Sequence, residues 1–278
     1  MHAGTNELVA SAIVKAAKKT GMPKGVFSSI NGSVQAGIDL VSHPKVKAVG
    51  FTGSIGGGRA LFDLAAKREE PIPVFAEMGS INPVIMTANA ISKRGSELAK
   101  TYASSITLGT GQFCTNPGLL LTVKSLDTEA FIKELAKETV AIDAQTMLHP
   151  NIKEGYQKKG DDVTSQDGVE VVGKYEGDLE PNKAASIIAS VSGEAFLKNP
   201  KIHQEVFGPF SIVVQCKDEA ELIQIIDGLE GQLTGTLIAE KDDDLNLTEI
   251  VESLQNRVGR IIYNGVPTGV EVCASMQH

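Results

Sequence analysis

Cysteine is scarce in this sequence: Cys114, Cys216 and Cys273 are the only 3, widely spaced and without a CxxC pair. An odd, scattered set argues against both a disulfide framework and a zinc site, and a reducing cytoplasm is the expected compartment. A basic excess is missing as well. With a formal net charge of -8, binding driven by neutralising phosphates is not expected, so nucleic acid drops out as a partner. No apolar run approaches membrane-spanning length; the longest, "GLLLTV" at residues 118–123, is the size of a buried strand. The opening "MHAGTNELVA" has neither a basic n-region nor an apolar h-region, so no secretory signal is expected. Internal repeats and low-complexity linkers are also lacking.

What is present suits a globular protein. The 278 residues are 42% hydrophobic and 22% charged, enough for a sizeable core in one or two domains. Thr5 is a candidate cap for a helix in which Leu8, Val9, Ala12, Ile13, Ala16 and Ala17 recur at helical spacing, stopped by Gly21 and Pro23. β-like runs follow at "GVFSSI", "VKAVGF" and "PIPVFA", separated by helix-like segments at 34–41 and 59–67. Further on, helical spacing at 92–108, 128–140, 152–159, 220–226 and 247–254 alternates with strand-like "LLLTV", "ASIIASV", "FSIVVQC", "TGTLIAE" and "RIIYN". This alternation predicts an α/β fold built from parallel βαβ units. The polar stretch "KKGDDVTSQDG" reads as a surface loop.

Four stretches carry candidate chemistry. Cys114 stands in "GTGQFCTNPG", between glycines and a Pro-Gly turn that suit an irregular loop open to a carbonyl substrate; a buried, inert thiol is the alternative. Glu77 ends the run "PIPVFAEMGS", at the carboxyl end of a strand, where α/β active sites gather; a surface carboxylate is the plain alternative. Glu205 lies in "HQEVFGPF", and neighbouring His203 has no second ligand at metal spacing, so no metal is expected. "FTGSIGGG", residues 51–58, is a glycine-rich strand-to-helix turn whose amides suit a phosphate, although tight packing explains it equally well.

Taken in order, these stretches resemble the aldehyde dehydrogenase superfamily. "FTGS" with Gly53 and Gly58, "AEMGSINPV" around Glu77, "GQFCTNPG" around Cys114 and "EVFGPF" around Glu205 match its successive signatures, and the likeness extends to the opening "GTNELVASAIVKAA" and the closing "GRIIYNGVPTGVEV". The forms "AEMGSINPV" and "GQFCTNPG" are similar to the branch containing α-ketoglutaric semialdehyde (2,5-dioxovalerate) dehydrogenases. The resemblance implies a partial Rossmann-like dinucleotide-binding domain at 1–78 followed by an α/β catalytic, thiol-bearing domain at 79–278. It implies NAD or NADP as cofactor and a small-molecule aldehyde as substrate. Cys114 would attack the aldehyde to give a thiohemiacetal and then a thioester, with Glu77 activating Cys114 or the hydrolytic water. Gly53, Ser54 and Gly58 would belong to the pyrophosphate turn, Glu205 and Phe207 would hold the nicotinamide ribose and ring, and Asn264 would support the site from behind.

Members of the family are much longer than this sequence. The resemblance therefore implies that the first nucleotide-binding strands, a ribose-contacting Lys, an oxyanion-hole Asn and part of an oligomerisation segment fall outside it. Loss of one oxyanion donor costs about 10² to 10³ in turnover, so this chain alone is expected to be weakly active or inactive, the full-length parent being a homo-oligomer. Two other readings use the same residues: a cofactor-independent cysteine esterase or acyl-transferase built on Cys114 and Glu77, and a non-catalytic α/β assembly module.

Overall fold

The computed structural model describes residues 3–243, 247–269 and 274; Cys273 lies outside them. The chain forms two compact units, Met1–Gly79 and Ser80–His278.

The first unit holds helices α1 (Ala3–Thr20) and α2 (Val34–Ser42), strand β1 (Val49–Thr52), helix α3 (Ile55–Ala66) and strand β2 (Val74–Glu77). α1 starts ahead of Thr5, which falls inside the helix, and ends where Gly21 takes a left-handed φ of 72°. There Met22 N–H donates to Ala17 O at 2.9 Å, as the orphan carbonyls of a helix end require. β1 and β2 pair in parallel from Val49 opposite Val74 to Thr52 opposite Glu77. "GVFSSI" forms no strand: Val26 and Ile30 are exposed and no described strand pairs with the segment. An apolar run without a ladder partner leaves its amides to water, so β propensity alone does not make it a strand.

In the second unit, strand β3 (Val84–Met86), helix α4 (Ala88–Thr107), β4 (Leu119–Val123) and helix α5 (Leu126–Val140) lead to the short β5 (Gln145–Thr146). Helix α6 (Pro150–Thr164), β6 (Glu170–Lys174), β7 (Lys183–Ala184), β8 (Ile187–Ser192) and helix α7 (Gly193–Lys198) follow. The series closes with β9 (Phe210–Cys216), α8 (Glu219–Gly228), β10 (Gln232–Ile238), α9 (Leu247–Gln255) and β11 (Val258–Tyr263). Seven strands form one sheet in the order β11-β10-β3-β4-β9-β8-β6, parallel except for β6 against β8.

Both faces of this sheet are covered, which is why its central strands read as unbroken apolar runs. On one face Val84, Leu120 and Val213 meet Leu98, Tyr102 and Ile106 of α4 and Phe131 and Leu135 of α5. On the other, Ile85, Leu119, Leu121, Ile212 and Val214 meet Tyr156, Phe196, Leu222, Ile225, Ile250 and Leu254 from α6 to α9. Leu119, Leu120 and Leu121 are each at most 1% exposed, and full burial of such a side chain contributes about 1.5–3 kcal/mol. The expected loop at "KKGDDVTSQDG" is instead largely helical through Thr164, because Tyr156, Gly160 and Val163 fall on one buried face of α6 at helical spacing.

Candidate active site

In the second unit the chemistry-bearing loops come together at the amino edge of the parallel strands. Asn82 precedes β3, Cys114 precedes β4, Glu205 precedes β9, and Gln232 opens β10. Rows of parallel strands align these starting points, so residues far apart in sequence share one rim.

Cys114 is exposed, whereas Thr115, Asn116 and Pro117 after it are buried. The approach to it is an unusual turn: Gly109, Thr110 and Gly111 all have left-handed φ, at 56°, 60° and 63°. For Thr110, a β-branched residue, this conformation is strained; its hydroxyl donates to Thr146 O at 3.3 Å. A Cβ on Gly111 would strike the Gly208 carbonyl and Pro209 N, so glycine is what allows the two loops to touch. The contact is extended by Asn116 Nδ2, which donates to Gly208 O at 3.2 Å, and by Ser211 Oγ, which donates to Pro117 O at 2.8 Å.

Beneath this loop lies a network that the sequence did not disclose. Asn82, fully buried with φ 47°, donates from Nδ2 to Cys114 O and to Asn116 O, both at 2.9 Å. Its Oδ1 accepts from Ser80 Oγ and Thr234 Oγ1, each at 3.0 Å. Gln232 Oε1 accepts from Ile81 N–H at 2.7 Å and from Asn82 N–H at 3.3 Å, and lies 2.9 Å from Ser80 Oγ, whose single proton it shares with Asn82 Oδ1. The one signal in the sequence was a polar Asn-Pro pair at the mouth of an apolar strand; nothing local marks Gln232.

Glu205 is half-buried, and its Oε1 accepts from Ser80 N–H at 3.4 Å. Burial pushes its carboxyl above the ordinary carboxylate range, against the opposing pull of the Lys159 charge and the Ser80 amide. Phe207, Glu205, Ser80, Phe113 and Asn116 line a cavity of about 20 Å³, room for a single water. Asn116 Oδ1 and Thr115 Oγ1 are buried with no hydrogen-bonding partner among the described residues. His203 stacks on Phe196 with ring centroids 4.1 Å apart, and its Nε2 lies 2.7 Å from Phe196 O, a packing role. Cys216 is buried in the core, and desolvation, reinforced by Glu221 and Asp218, pushes its thiol up to about 12.

The first unit carries the remaining candidates. Glu77, the last residue of β2, is partly buried, and its carbonyl accepts from Gly53 N–H at 3.0 Å. Ser54 caps α3, its Oγ accepting from Gly57 N–H at 3.2 Å. Gly53, Ser54 and Gly56 are exposed, and space around Gly56 is open, so the first amides of α3 are accessible to an anion. Gly58 is buried, and a Cβ there would strike the Met78 side chain; it sets the packing of helix on strand. Asn264 follows β11 at the carboxyl edge of the large sheet, the opposite rim from Cys114. There it accepts from Ala239 N–H and donates to Ala239 O, and it does not support the thiol loop.

Residues 3–275 match the model of the aldehyde dehydrogenase family. The chain belongs to the aldehyde dehydrogenase family. Over its whole length it is 44% identical to Alpha-ketoglutaric semialdehyde dehydrogenase 2 of Azospirillum brasilense and 41% identical to Alpha-ketoglutaric semialdehyde dehydrogenase of Acinetobacter baylyi. It spans 53% of each of these relatives. Among solved structures, indole-3-acetaldehyde dehydrogenase complexed with NAD+ aligns with 92% of the chain and 52% of its own length, at TM-score 0.75 and 21% identity. That likeness fixes the aldehyde dehydrogenase fold. Among the described residues, no helix is long and apolar enough to cross a membrane.

Proposed function

We propose that this chain carries the nucleophile of an NAD(P)-dependent aldehyde dehydrogenase that oxidises an α-keto-acid semialdehyde, α-ketoglutaric semialdehyde in the first instance. The observation that carries the reading is the exposed Cys114 on a loop whose backbone is held at Cys114 O by Asn82 and, two residues on, by the buried bond from Asn116 to Gly208 O. The names of the two relatives support the choice of substrate.

The thiolate of Cys114 attacks the aldehyde carbon, and the carbonyl oxygen takes the negative charge of a thiohemiacetal. A bound nicotinamide dinucleotide supplies the hydride acceptor that converts this to a thioester. Water then adds to the thioester carbonyl, the C–S bond breaks, and carboxylate and Cys114 are released. Glu77 is the proposed acceptor of the proton lost by the thiol or by the water. The chain's residues suit the dinucleotide: the exposed turn Gly53-Ser54 leads into α3, whose first amides, at Ile55 and Gly56, face outward for a pyrophosphate, and Glu205 with Phe207 offers an acceptor and a ring to the nicotinamide ribose and ring.

Incubation with α-ketoglutaric semialdehyde and NAD(P)+, acid quenching and peptide mass mapping tests the reading. The expected result, at the low turnover expected of this chain, is a slowly accumulating acyl adduct on Cys114, absent from Cys114→Ala. No adduct at Cys114, or reduced nicotinamide formed equally by Cys114→Ala, would overturn it.

A further inference from the structure

We infer that Asn82 is a positioning residue for the Cys114 thiol, through a clamp in which one carboxamide holds the backbone on both sides of Thr115. The inference rests on the reading of Cys114 as the nucleophile.

The chemistry of the position is narrow. The backbone at Asn82 is left-handed, at φ 47°, a conformation that asparagine and glycine adopt far more readily than other residues. The side chain must also present two N–H donors to Cys114 O and Asn116 O and one acceptor to Ser80 Oγ and Thr234 Oγ1. A carboxamide does all of this; aspartate has the shape and lacks the donors, and glycine has the backbone and lacks the side chain. Asn82 is 0% exposed, so water cannot replace a lost bond without entering the core.

The clamp is itself held. Gln232, at the start of β10, accepts from the backbone of Ile81 and Asn82, and Thr234 two residues on reaches Asn82 Oδ1. The amino ends of β3, β4 and β10 are thereby tied through one side chain. Position of the thiol is thus set by the sheet rather than by the loop's own residues. Rigid support of this kind is what keeps a reacting atom in a productive geometry.

Three versions of the 278-residue chain decide the matter: the unaltered protein, Asn82→Gly and Asn82→Asp. Iodoacetamide alkylation of Cys114 is followed across pH, with Cys216 as an internal report on the core and the peptide GQFCTNPG as the unheld reference. The expected result is a change of about tenfold in the Cys114 rate in both variants, toward the peptide's rate and pH profile, with Cys216 still protected. An unchanged Cys114 profile, or Cys114 and Cys216 becoming reactive together, overturns the inference. The semialdehyde adduct separates the two proposals. An adduct formed equally fast in Asn82→Gly overturns the clamp alone, whereas no adduct in any chain, with alkylation still altered, overturns only the reading of Cys114 as nucleophile.

Discussion

Gly111 and Gly208 meet main chain to main chain: a Cβ on Gly111 would overlap the Gly208 carbonyl, and Gly111 itself sits at φ 63°. The loops that precede β4 and β9 are thus joined where neither has a side chain.

Gly111→Ala imposes both a left-handed alanine, at about 1–2 kcal/mol, and an overpacked contact, at about 1–3 kcal/mol. The expected outcome is a fall in melting temperature of roughly 5–15 °C, with faster proteolysis near the loop. A variant that melts with the unaltered chain would show that the two loops do not touch in solution.

Glu205 supplies a pH dependence with a definite sign. Its folded carboxyl is raised by burial, so its contribution to stability is full below the unfolded value, about 4.3, and is lost as pH rises through the folded value. Glu205→Gln stays neutral throughout and can still accept from Ser80 N–H. Relative to the unaltered chain, it should therefore gain in melting temperature as pH rises above about 4.3. Parallel melting curves across that range would contradict the desolvation of Glu205.

Asn264 gives the converse case, stability without effect on the thiol. Its side chain bonds Ala239 at both N–H and C=O and accepts from Arg94 Nη2, while Arg94 Nε pairs with Glu240 at 2.6 Å. Asn264→Ala should cost about 2–3 kcal/mol and leave the Cys114 alkylation rate as it was, because the residue sits on the far rim of the sheet. A slowed or accelerated Cys114 would place Asn264 in the site after all.

The central strands were legible in the sequence because burial on both faces makes them continuous apolar runs, as at Leu119–Val123 and Phe210–Cys216. "GVFSSI" misled for the same reason: its composition is that of a strand, but strand formation needs a neighbour that composition does not reveal. α6 was half seen, since its C-terminal turns carry charge on every face but the one marked by Gly160 and Val163. The aldehyde dehydrogenase signatures picked out Cys114, Glu77 and Glu205 as ordered motifs. Asn82 and Gln232 escaped because their roles exist only between distant stretches of chain, 32 residues from Asn82 to Cys114 and 150 from Asn82 to Gln232, in a register that parallel pairing brings together. Asn264 lay in a matching motif, yet the strand it follows delivers it to the other edge.

The left-handed run Gly109-Thr110-Gly111 has a consequence for how this stretch can change over time. A turn of that hand is specified by the main chain, so the side chains available to it are few: glycine, asparagine and aspartate enter at little cost, and other residues enter only against strain. Gln112 and Phe113, one step on, carry no such restriction. The segment before the thiol is therefore restricted for two different reasons in succession: by main-chain hand through Gly111, and at Gln112 by a side chain that accepts from Leu148 N–H and donates to Gly109 O.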